Sequence, residues 1–190
     1  MNTRADLIAS LQAYQPFNEQ ETRDQELILR SLRCFDNIFT RENTLAHMTA
    51  SAWVLNPARD RILMAYHRIY QSWSWLGGHA DGECDLRAVA LREVQEESGV
   101  QQVRLISPDI FSLEALTVDG HIKRGRYVSS HLHLNITYLV EADDRILPQI
   151  KPDENSAVAW FAPDKAVSAS SEPWFREHIY QKLNDKLARL

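Results

Sequence analysis

The fold of this chain is decided by residues 77–100, which read GGHADGECDLRAVALREVQEESGV. Two adjacent glycines open the stretch and break the chain, and residues 86–98 then return to helical periodicity. Gly99 ends the predicted helix, since glycine is favoured where a chain turns left-handed after a helix. We expect this helix to pack on a sheet through its apolar side chains, Leu86, Val89, Ala90 and Val94.

The polar side of the predicted helix carries three carboxylates. Because Glu96 and Glu97 follow Glu93 by three and four residues, all three project from overlapping sectors of one face. Like charges at this spacing destabilise a helix by roughly some tenths of a kcal/mol, and a bound divalent cation removes that penalty. Carboxylate oxygens are the hard ligands that Mg²⁺ and Mn²⁺ prefer. Arg92 is adjacent to Glu93, so we expect it to orient a carboxylate through a bidentate contact.

A less specific interpretation competes with the metal site. An acidic cluster on a helix is more commonly a solvated face, and a glycine pair before a helix is more commonly a turn. The joint arrangement of glycine turn, helix, Arg-Glu, Glu-Glu and closing glycine is what favours a metal site here.

The remaining elements are predicted from periodicity and turn signals. Residues 1–43 are polar and helical, whereas short apolar strands begin after His47, and the first two form a hairpin across a turn at residues 56–60. The predicted helices outside residues 77–100 are 5–11, 19–35, 163–168 and 173–190. The predicted strands are 48–55, 61–66, 103–106, 111–118, 131–141 and 157–161, with a polar loop at 119–126. This order of elements predicts an α/β sandwich.

The size and composition of the chain limit the classes of protein to which it can belong. A chain of 190 residues with 44% hydrophobic and 25% charged residues is typical of one globular domain. A net charge of −5 argues against binding of a nucleic acid polymer, although a metal ion can reverse the local field for a small anionic substrate. No apolar run approaches the roughly 20 residues that span a bilayer, so we expect a cytoplasmic protein without a membrane partner. Cys34 and Cys84 lack the spacing of a zinc site or a disulfide framework.

Residues 77–100 resemble the Nudix box, the loop–helix–loop of hydrolases that act on nucleoside diphosphates linked to another moiety. That pattern is a glycine, five residues, Glu, seven residues, Arg-Glu, an aliphatic residue, any residue, Glu-Glu, any residue, Gly and an aliphatic residue. With Gly78 as the first glycine, every fixed position matches except Cys84, which stands where the pattern has Glu; Glu83 precedes it by one residue. This departure lies in the loop and so affects the loop geometry, whereas the helical half of the motif is intact. The Gly-Gly-His-Ala-Asp-Gly variant resembles that of a subgroup of the family.

The resemblance implies a Nudix-type α/β/α sandwich with a mixed sheet over residues 44–190, preceded by a helical N-terminal extension, residues 1–43. It implies a metal-dependent hydrolase in which water attacks phosphorus without a covalent enzyme intermediate. The implied ligands of Mg²⁺ or Mn²⁺ are Glu93, Glu96, Glu97 and the Gly77 carbonyl, with Arg92 orienting Glu93. A general base in this family often lies outside the box, and the candidates are Glu154 and Asp153; a solvated turn before a strand is the competing interpretation.

Aromatic and basic residues near the box are candidates to bind a nucleotide-type substrate. Trp73 and Trp75 are placed to stack on a base, a contact worth roughly 1–3 kcal/mol, although their alternation predicts that one of them is core. The loop 119–126 either touches a substrate phosphate or is a solvated surface loop. Its basic residues are Lys123, Arg124 and Arg126.

Histidines are the other candidate substrate-binding residues. His131 and His133 share one face of a predicted strand, from which they can approach the site, and His67 and His79 bracket the glycine loop. A metal-binding histidine cluster is conceivable, but histidines that are hydrogen-bonded within the fold are the commoner case.

Two other functions remain open beside the hydrolase. The first is an enzyme like the isopentenyl diphosphate isomerases, which share the architecture and need a cysteine and a glutamate in particular places. The second is a non-catalytic module that binds a nucleotide as a sensor, against which the intact Arg-Glu and Glu-Glu pairs argue. The N-terminal extension caps the sheet, forms a homodimer contact or covers the substrate, and the sequence does not choose among these roles.

Overall fold

Helices flank both faces of a mixed sheet, which confirms the predicted α/β sandwich. The computed structural model describes residues 3–123 and 125–190, so the predicted phosphate contact of Arg124 lies outside the described residues. The helices are α1 (Arg4–Ala13), α2 (Glu19–Cys34), α3 (Leu86–Ser98), α4 (Pro163–Ala169) and α5 (Gln181–Leu187), the last continuing from a π-helical turn at Phe175–Tyr180. None of the helices in these two described ranges is long and apolar enough to cross a membrane.

The strands form one large sheet and a separate hairpin. They are β1 (Ala46–Leu55), β2 (Ile62–His67), β3 (Ser72–Ser74), β4 (Leu76–His79), β5 (Val103–Leu105), β6 (Ser112–Val118), β7 (His121–Lys123), β8 (Arg126–Val128), β9 (His131–Ala142) and β10 (Asn155–Phe161). The large sheet has the order β10-β2-β1-β9-β5, with β3 beside β2, β4 beside β1 and β6 beside β9. The sheet is mixed because β1 and β9 are parallel and the other pairs are antiparallel.

The predicted hairpin of the first two strands is confirmed, since Val54 of β1 lies opposite Leu63 of β2 in antiparallel register. The prediction of a loop at residues 119–126 is wrong, because β7 and β8 pair there, with Lys123 opposite Arg126. Most side chains of that hairpin are exposed, so the sequence carries no apolar alternation that would reveal it. β4 was also missed, because its glycine pair is typical of a break rather than a strand.

Helix α3 is fixed at both ends and along one side. The Asp85 carboxylate accepts a hydrogen bond from the Ala88 backbone N–H at the start, and Gly99 adopts a φ of 70° at the end. The four apolar side chains predicted to face the sheet are all buried. They pack with residues of β1 and β9 in one core cluster, so the carboxylate side of α3 is held at a fixed height above the sheet.

The N-terminal helices belong to the same core rather than standing apart from it. Leu7 and Leu11 of α1 and Ile28 and Leu32 of α2 are buried in the cluster that contains α3. Of the three roles that the sequence left open for these helices, the structure therefore shows them covering the sheet. A second core cluster lies under the C-terminal helices on the opposite face, around Trp53 and Tyr180. The site described next lies where α3 meets β4.

Candidate active site

The carboxylate of Glu97 is the most deeply placed acidic group of α3. Its residue is only 7% exposed, and Oε2 accepts a hydrogen bond from the Gly77 backbone N–H at 3.0 Å. Burial raises the pKa of Glu97 well above its ordinary value, the Gly77 N–H opposes that shift, and the carboxylates of Glu93 and Glu154 add to it. The backbone contact also joins the glycine pair to the helix, whereas the Gly77 carbonyl as a metal ligand stays a prediction.

The two glycines are needed because β4 runs through a narrow space. A Cβ on Gly78 would lie 2.5 Å from Cδ of Glu93, and a Cβ on Gly77 would lie 2.6 Å from the Ala50 carbonyl oxygen and from Oγ of Ser51. β4 can therefore pass between the Glu93 carboxylate and strand β1 only without side chains at these positions. Burial raises the pKa of Glu93 as well, and Arg92 opposes that shift.

Arg92 lies between two carboxylates. One of its guanidinium nitrogens is 3.4 Å from Oε1 of Glu93, and another is 3.8 Å from Oε1 of Glu96. The predicted bidentate contact with one carboxylate is therefore not formed, because the two acidic side chains flank the arginine and each takes one nitrogen. The arginine is placed to orient Glu93, as the resemblance implies.

A turn from the other end of the chain completes the cluster. The ammonium group of Lys151 lies 3.0 Å from Oε2 of Glu96 and 3.0 Å from Oε1 of Glu154. Asn155 holds this turn against α3, since its side-chain amide donates to the Glu97 carbonyl at 2.8 Å. The predicted general base Glu154 is thus brought to the carboxylates of the helix. Asp153 is exposed in the same turn.

Lys151 and Asn155 were missed as site residues by the sequence reasoning. The available signal was the cation three residues before Glu154, which is the spacing of a contact across one turn. Burial alone lowers the pKa of Lys151, but its hydrogen bonds to Glu154 and Glu96 outweigh that effect and raise it. The lysine therefore keeps its positive charge between the two carboxylates.

The donor set fits a hard divalent cation. It consists of carboxylate oxygens from Glu93, Glu96 and Glu97 beside the Gly77 backbone, which is the chemistry that Mg²⁺ and Mn²⁺ prefer. Burial raises the pKa values of Glu93 and Glu97 even though Arg92 and Lys151 lie nearby and oppose the shift. A dication held between the two carboxylates would favour their ionised forms.

Cys84 and Glu83, the positions at which the box departs from its pattern, lie outside the carboxylate cluster. Cys84 is partly buried and packs on the core cluster beside Leu7 of α1, and burial raises the pKa of its thiol. Glu83 is exposed, and its carboxylate accepts a hydrogen bond from the Asp85 backbone N–H at 2.8 Å. The position that the pattern gives to Glu is here a thiol that lines the same pocket as Leu7 of the N-terminal extension.

The two tryptophans pack within the second core cluster. The Trp73 ring lies 4.8 Å from that of Phe161, and the Trp75 ring lies 5.8 Å from that of Tyr180, both in edge-on geometry. Both indoles are partly buried there, whereas the alternation predicted one core residue. Arg126 is exposed on β8, where it lies opposite Lys123 of β7. Substrate binding by these three residues remains a prediction.

The histidines lie on the other side of β4 from the carboxylates. Gly78 faces α3, so the next residue, His79, points to the opposite face of the sheet, where it meets His133 with the two Nε2 atoms 3.2 Å apart. His131 is beside them, with its ring 5.2 Å from that of His133. His47, which the sequence reasoning did not select, completes the group from β1. Burial lowers the pKa of His79 to about 3 and that of His133 to about 2, so these rings are neutral.

Solved structures with the same fold are hydrolases of several organisms. A hydrolase of the NUDIX family from Clostridium perfringens aligns with a TM-score of 0.55 and 18% identity over 75% of this chain and 97% of that one. An Ap4A hydrolase of C. elegans aligns with a TM-score of 0.54 and 18% identity over 75% of this chain and 98% of that one. The dihydroneopterin triphosphate pyrophosphohydrolase of E. coli aligns with a TM-score of 0.52 and 15% identity over 73% and 95%. Such identities show the fold alone.

The sequence itself supports the same relationship. No curated protein matches the chain in a sequence comparison. The family model of the NUDIX domain, however, matches residues 45–183, which is most of the chain and includes both α3 and the turn that carries Glu154. The chain therefore belongs to the NUDIX domain family.

Proposed function

We propose that the protein is a divalent-metal-dependent pyrophosphohydrolase, which cleaves a phosphoanhydride in a nucleoside diphosphate linked to another moiety by attack of water at phosphorus. The observation that carries this proposal is the buried Glu97 carboxylate, which accepts a hydrogen bond from the Gly77 N–H and lies near the carboxylates of Glu93 and Glu154. An acidic face that served only for solubility would be exposed.

In this proposal Glu93, Glu96, Glu97 and the Gly77 carbonyl hold Mg²⁺ or Mn²⁺. The bound cation would neutralise the diphosphate and lower the pKa of the attacking water. Arg92 orients Glu93 through its contact at 3.4 Å, and its other contact does the same for Glu96. Most of the rate enhancement then comes from positioning and electrostatic stabilisation, because the protein forms no covalent intermediate.

Glu154 is the proposed general base. Its carboxylate is partly exposed, so substrate and water can reach it, and it lies 3.0 Å from the Lys151 ammonium that also contacts Glu96. The backbone around it is fixed, since the Arg68 N–H donates to the Glu154 carbonyl and Asn155 is bonded to α3. A carboxylate on a fixed turn beside the metal ligands has the position that proton removal from a water requires.

The substrate class is supported by the family and by the names of structural neighbours. The C. elegans protein is named as a hydrolase of Ap4A and the E. coli protein as a pyrophosphohydrolase of dihydroneopterin triphosphate. We carry over only the class that such names share, a small nucleotide-type phosphoanhydride. In this proposal, the Gly-Gly-His-Ala-Asp-Gly variant of the box assigns the protein to a subgroup of the family that differs from the others in the moiety that leaves the diphosphate.

The isomerase alternative is disfavoured by the position of Cys84. Its thiol packs on the core beside α1, with a raised pKa, and does not lie with the carboxylates of α3. The sensor alternative is disfavoured because Arg92, Glu93, Glu96 and Glu97 are all present, with Arg92 in contact with both Glu93 and Glu96, and a site that only binds need not retain them all.

The test is a phosphate-release screen over nucleoside diphosphate derivatives with Mg²⁺ or Mn²⁺. Turnover of at least one compound is expected, and Glu97→Gln should lower it at least about 100-fold, which corresponds to about 2.7 kcal/mol. Glu83→Gln is the matched control, because it makes the same chemical change at a glutamate outside the cluster and should leave turnover within about twofold. A folded protein that binds Mg²⁺ but turns over none of the compounds would favour the sensor module.

A further inference from the structure

Three histidines from three strands meet on the sheet face opposite the carboxylates. In the described part of the chain, the ligand atoms of His47, His79 and His133 all lie within 4.8 Å of one another. The register of the strands explains this meeting, since His47 of β1 is paired with His133 of β9. His79 of β4 is paired with Thr49 of β1, which lies two residues after His47 and therefore on the same face of the sheet. We call these three residues the histidine cluster.

One nitrogen of the cluster is buried without a partner. His47 is 5% exposed, and its Nδ1 lies 3.1 Å from the Asn43 carbonyl oxygen. Because a carbonyl only accepts, Nδ1 carries the proton and Nε2 has the free lone pair. That Nε2 is buried and has no hydrogen-bond partner among the described residues. A buried acceptor without a partner costs free energy, so the structure points to a group that is missing from this position.

The spacing of the other two rings suits a metal ion. The Nε2 atoms of His79 and His133 are 3.2 Å apart. Two nitrogens on one tetrahedral zinc ion, each about 2.0–2.1 Å from it, are about 3.3–3.4 Å apart. The bond from Nδ1 of His47 to a backbone carbonyl is also the second contact that metal-binding histidines usually make, because it fixes the tautomer and the ring.

His131 stands next to the cluster, outside the group whose ligand atoms all lie within 4.8 Å of one another. Its ring lies 4.8 Å from that of His47, and its Nδ1 donates to the Ser129 carbonyl at 2.8 Å, which leaves Nε2 as the free nitrogen. Two cationic side chains act on the cluster, Lys123 and Arg41, and the Arg41 guanidinium makes two hydrogen bonds to the Asp81 carboxylate at 2.6 and 2.7 Å. This ion pair is neutral overall, so it does not repel a cation as a free arginine would.

We propose that His47, His79 and His133 bind a borderline transition-metal dication, with Zn²⁺ as the reference ion, at a site separate from the carboxylates of α3. Imidazole ligands select such ions, whereas Mg²⁺ and Mn²⁺ prefer the oxygen ligands on the other side of β4. The ion joins β1, β4 and β9 at the ends of these strands and so stabilises the strand that carries the glycine pair. This inference does not depend on the proposed hydrolase activity, and it assigns His133 to a metal rather than to substrate.

The test uses full-length protein without a histidine tag, stripped with a chelator and kept in excess Mg²⁺ so that the carboxylate site is filled. Calorimetric titration with Zn²⁺ should then show one ion per chain. His47→Gln and His133→Gln should each weaken zinc binding at least about tenfold. His178→Gln is the matched control, since His178 lies on the C-terminal π-helical turn with its ring 3.9 Å from that of Trp174, and it should bind zinc like the wild type. Glu97→Gln should also retain zinc while losing hydrolysis.

A second readout protects the test against variants that fold poorly. Bound Zn²⁺ should raise the melting temperature of the wild type and of His178→Gln but not that of the cluster variants, because only the folded cluster holds the ion. Co²⁺ in place of Zn²⁺ should give visible absorption bands of a nitrogen-ligated ion in the wild type. The proposal is overturned if the wild type takes up no zinc in excess Mg²⁺ or if the histidine variants bind it equally. Loss of zinc in Glu97→Gln would also overturn it, because the ion would then lie on the carboxylates.

Discussion

Two buried glutamates of this chain, Glu21 of α2 and Glu97 of α3, have opposite electrostatic surroundings. Glu21 is fully buried, and its carboxylate lies 3.3 Å from the Lys182 ammonium and 2.8 Å from that of Lys186, with further hydrogen bonds from Tyr14 and Ser112. Burial raises the pKa of Glu21, but the two lysines outweigh it and lower the pKa to about 2.

Glu97 has no such partners. Its carboxylate accepts one hydrogen bond in the described part of the chain, from Gly77, and burial beside two other carboxylates raises its pKa well above the ordinary value. Burial of an acid therefore does not by itself separate a structural ion pair from a functional site. The balance of charge does, because lysines neutralise the Glu21 region from within, whereas in the proposed function a divalent cation would balance the carboxylates of the Glu97 region.

The largest expected effect tests this difference through stability. Glu21→Gln leaves Lys182 buried with one of its two anionic partners removed, and loss of one partner from a buried pair costs about 3–5 kcal/mol. Glu97→Gln in the absence of metal should not lower the free energy of unfolding at neutral pH, because glutamine imitates the protonated acid that burial favours and gains nothing by ionising in the unfolded chain. Urea unfolding at neutral pH measures both, and equal losses in the two variants would refute the comparison.

The sequence predicted the Glu97 region better than the Glu21 region. The carboxylates of α3 lie within one helix, so their common face follows from residue spacing alone, and the same is true of Gly99 and of the buried apolar side. Glu21 forms ion pairs with lysines that are more than 160 residues away in the chain, and no local sequence pattern predicts such ion pairs. The position of Glu154 was predicted only through the family resemblance.

Other features needed the register of the sheet. His47 meets His79 and His133 because β1 pairs with both β4 and β9, which the sequence does not reveal. Arg92 makes one contact with each of two carboxylates, and this depends on the side-chain positions of Glu93 and Glu96 in the folded protein. The β7–β8 hairpin carries no apolar pattern from which it could be predicted. Local periodicity thus gave the helices and most strands, whereas side-chain partners across the sheet could be found only in the folded structure.

The glycine pair offers the next largest effect. Gly78→Ala places a Cβ against the end of the Glu93 side chain, which can move aside, so the fold should survive while the ligand set is displaced. We expect a loss of turnover on the order of 100-fold, as for a misplacement of about 1 Å. Gly77→Ala instead meets backbone atoms of β1, and overpacking of that kind costs about 1–3 kcal/mol of stability. Unfolding and turnover measured on both variants should show this division, and a Gly78→Ala enzyme of normal activity would contradict it.

A smaller effect concerns pH. Because the pKa of Glu21 is lowered, its ionised carboxylate stabilises the folded state at any pH above about 4.3, the ordinary pKa of a glutamate. This stabilisation is lost as the pH falls towards about 2. The raised pKa of Glu97 acts in the opposite sense, because the folded protein without metal holds a proton that the unfolded chain releases. Its stability relative to Glu97→Gln should therefore fall as the pH rises above about 4.3. Urea unfolding of the wild type, Glu21→Gln and Glu97→Gln between about pH 2 and 8 checks both signs, and saturating Mg²⁺ should abolish the loss caused by Glu97.

The smallest expected effect concerns Lys151, the cation that partly fills the role of the metal ion. Its ammonium contacts Glu96 and Glu154 and so competes with Mg²⁺ for the charge of the cluster. The side chain is partly exposed, and such contacts are worth about 0.2–1 kcal/mol, so Lys151→Gln should tighten Mg²⁺ binding by about fivefold at most. Lys165→Gln, which removes an exposed lysine beside Asp164, is the matched control and should leave the affinity unchanged. Calorimetry would sharpen the comparison, since weaker Mg²⁺ binding in Lys151→Gln would mean that the lysine organises the carboxylates instead of competing for them.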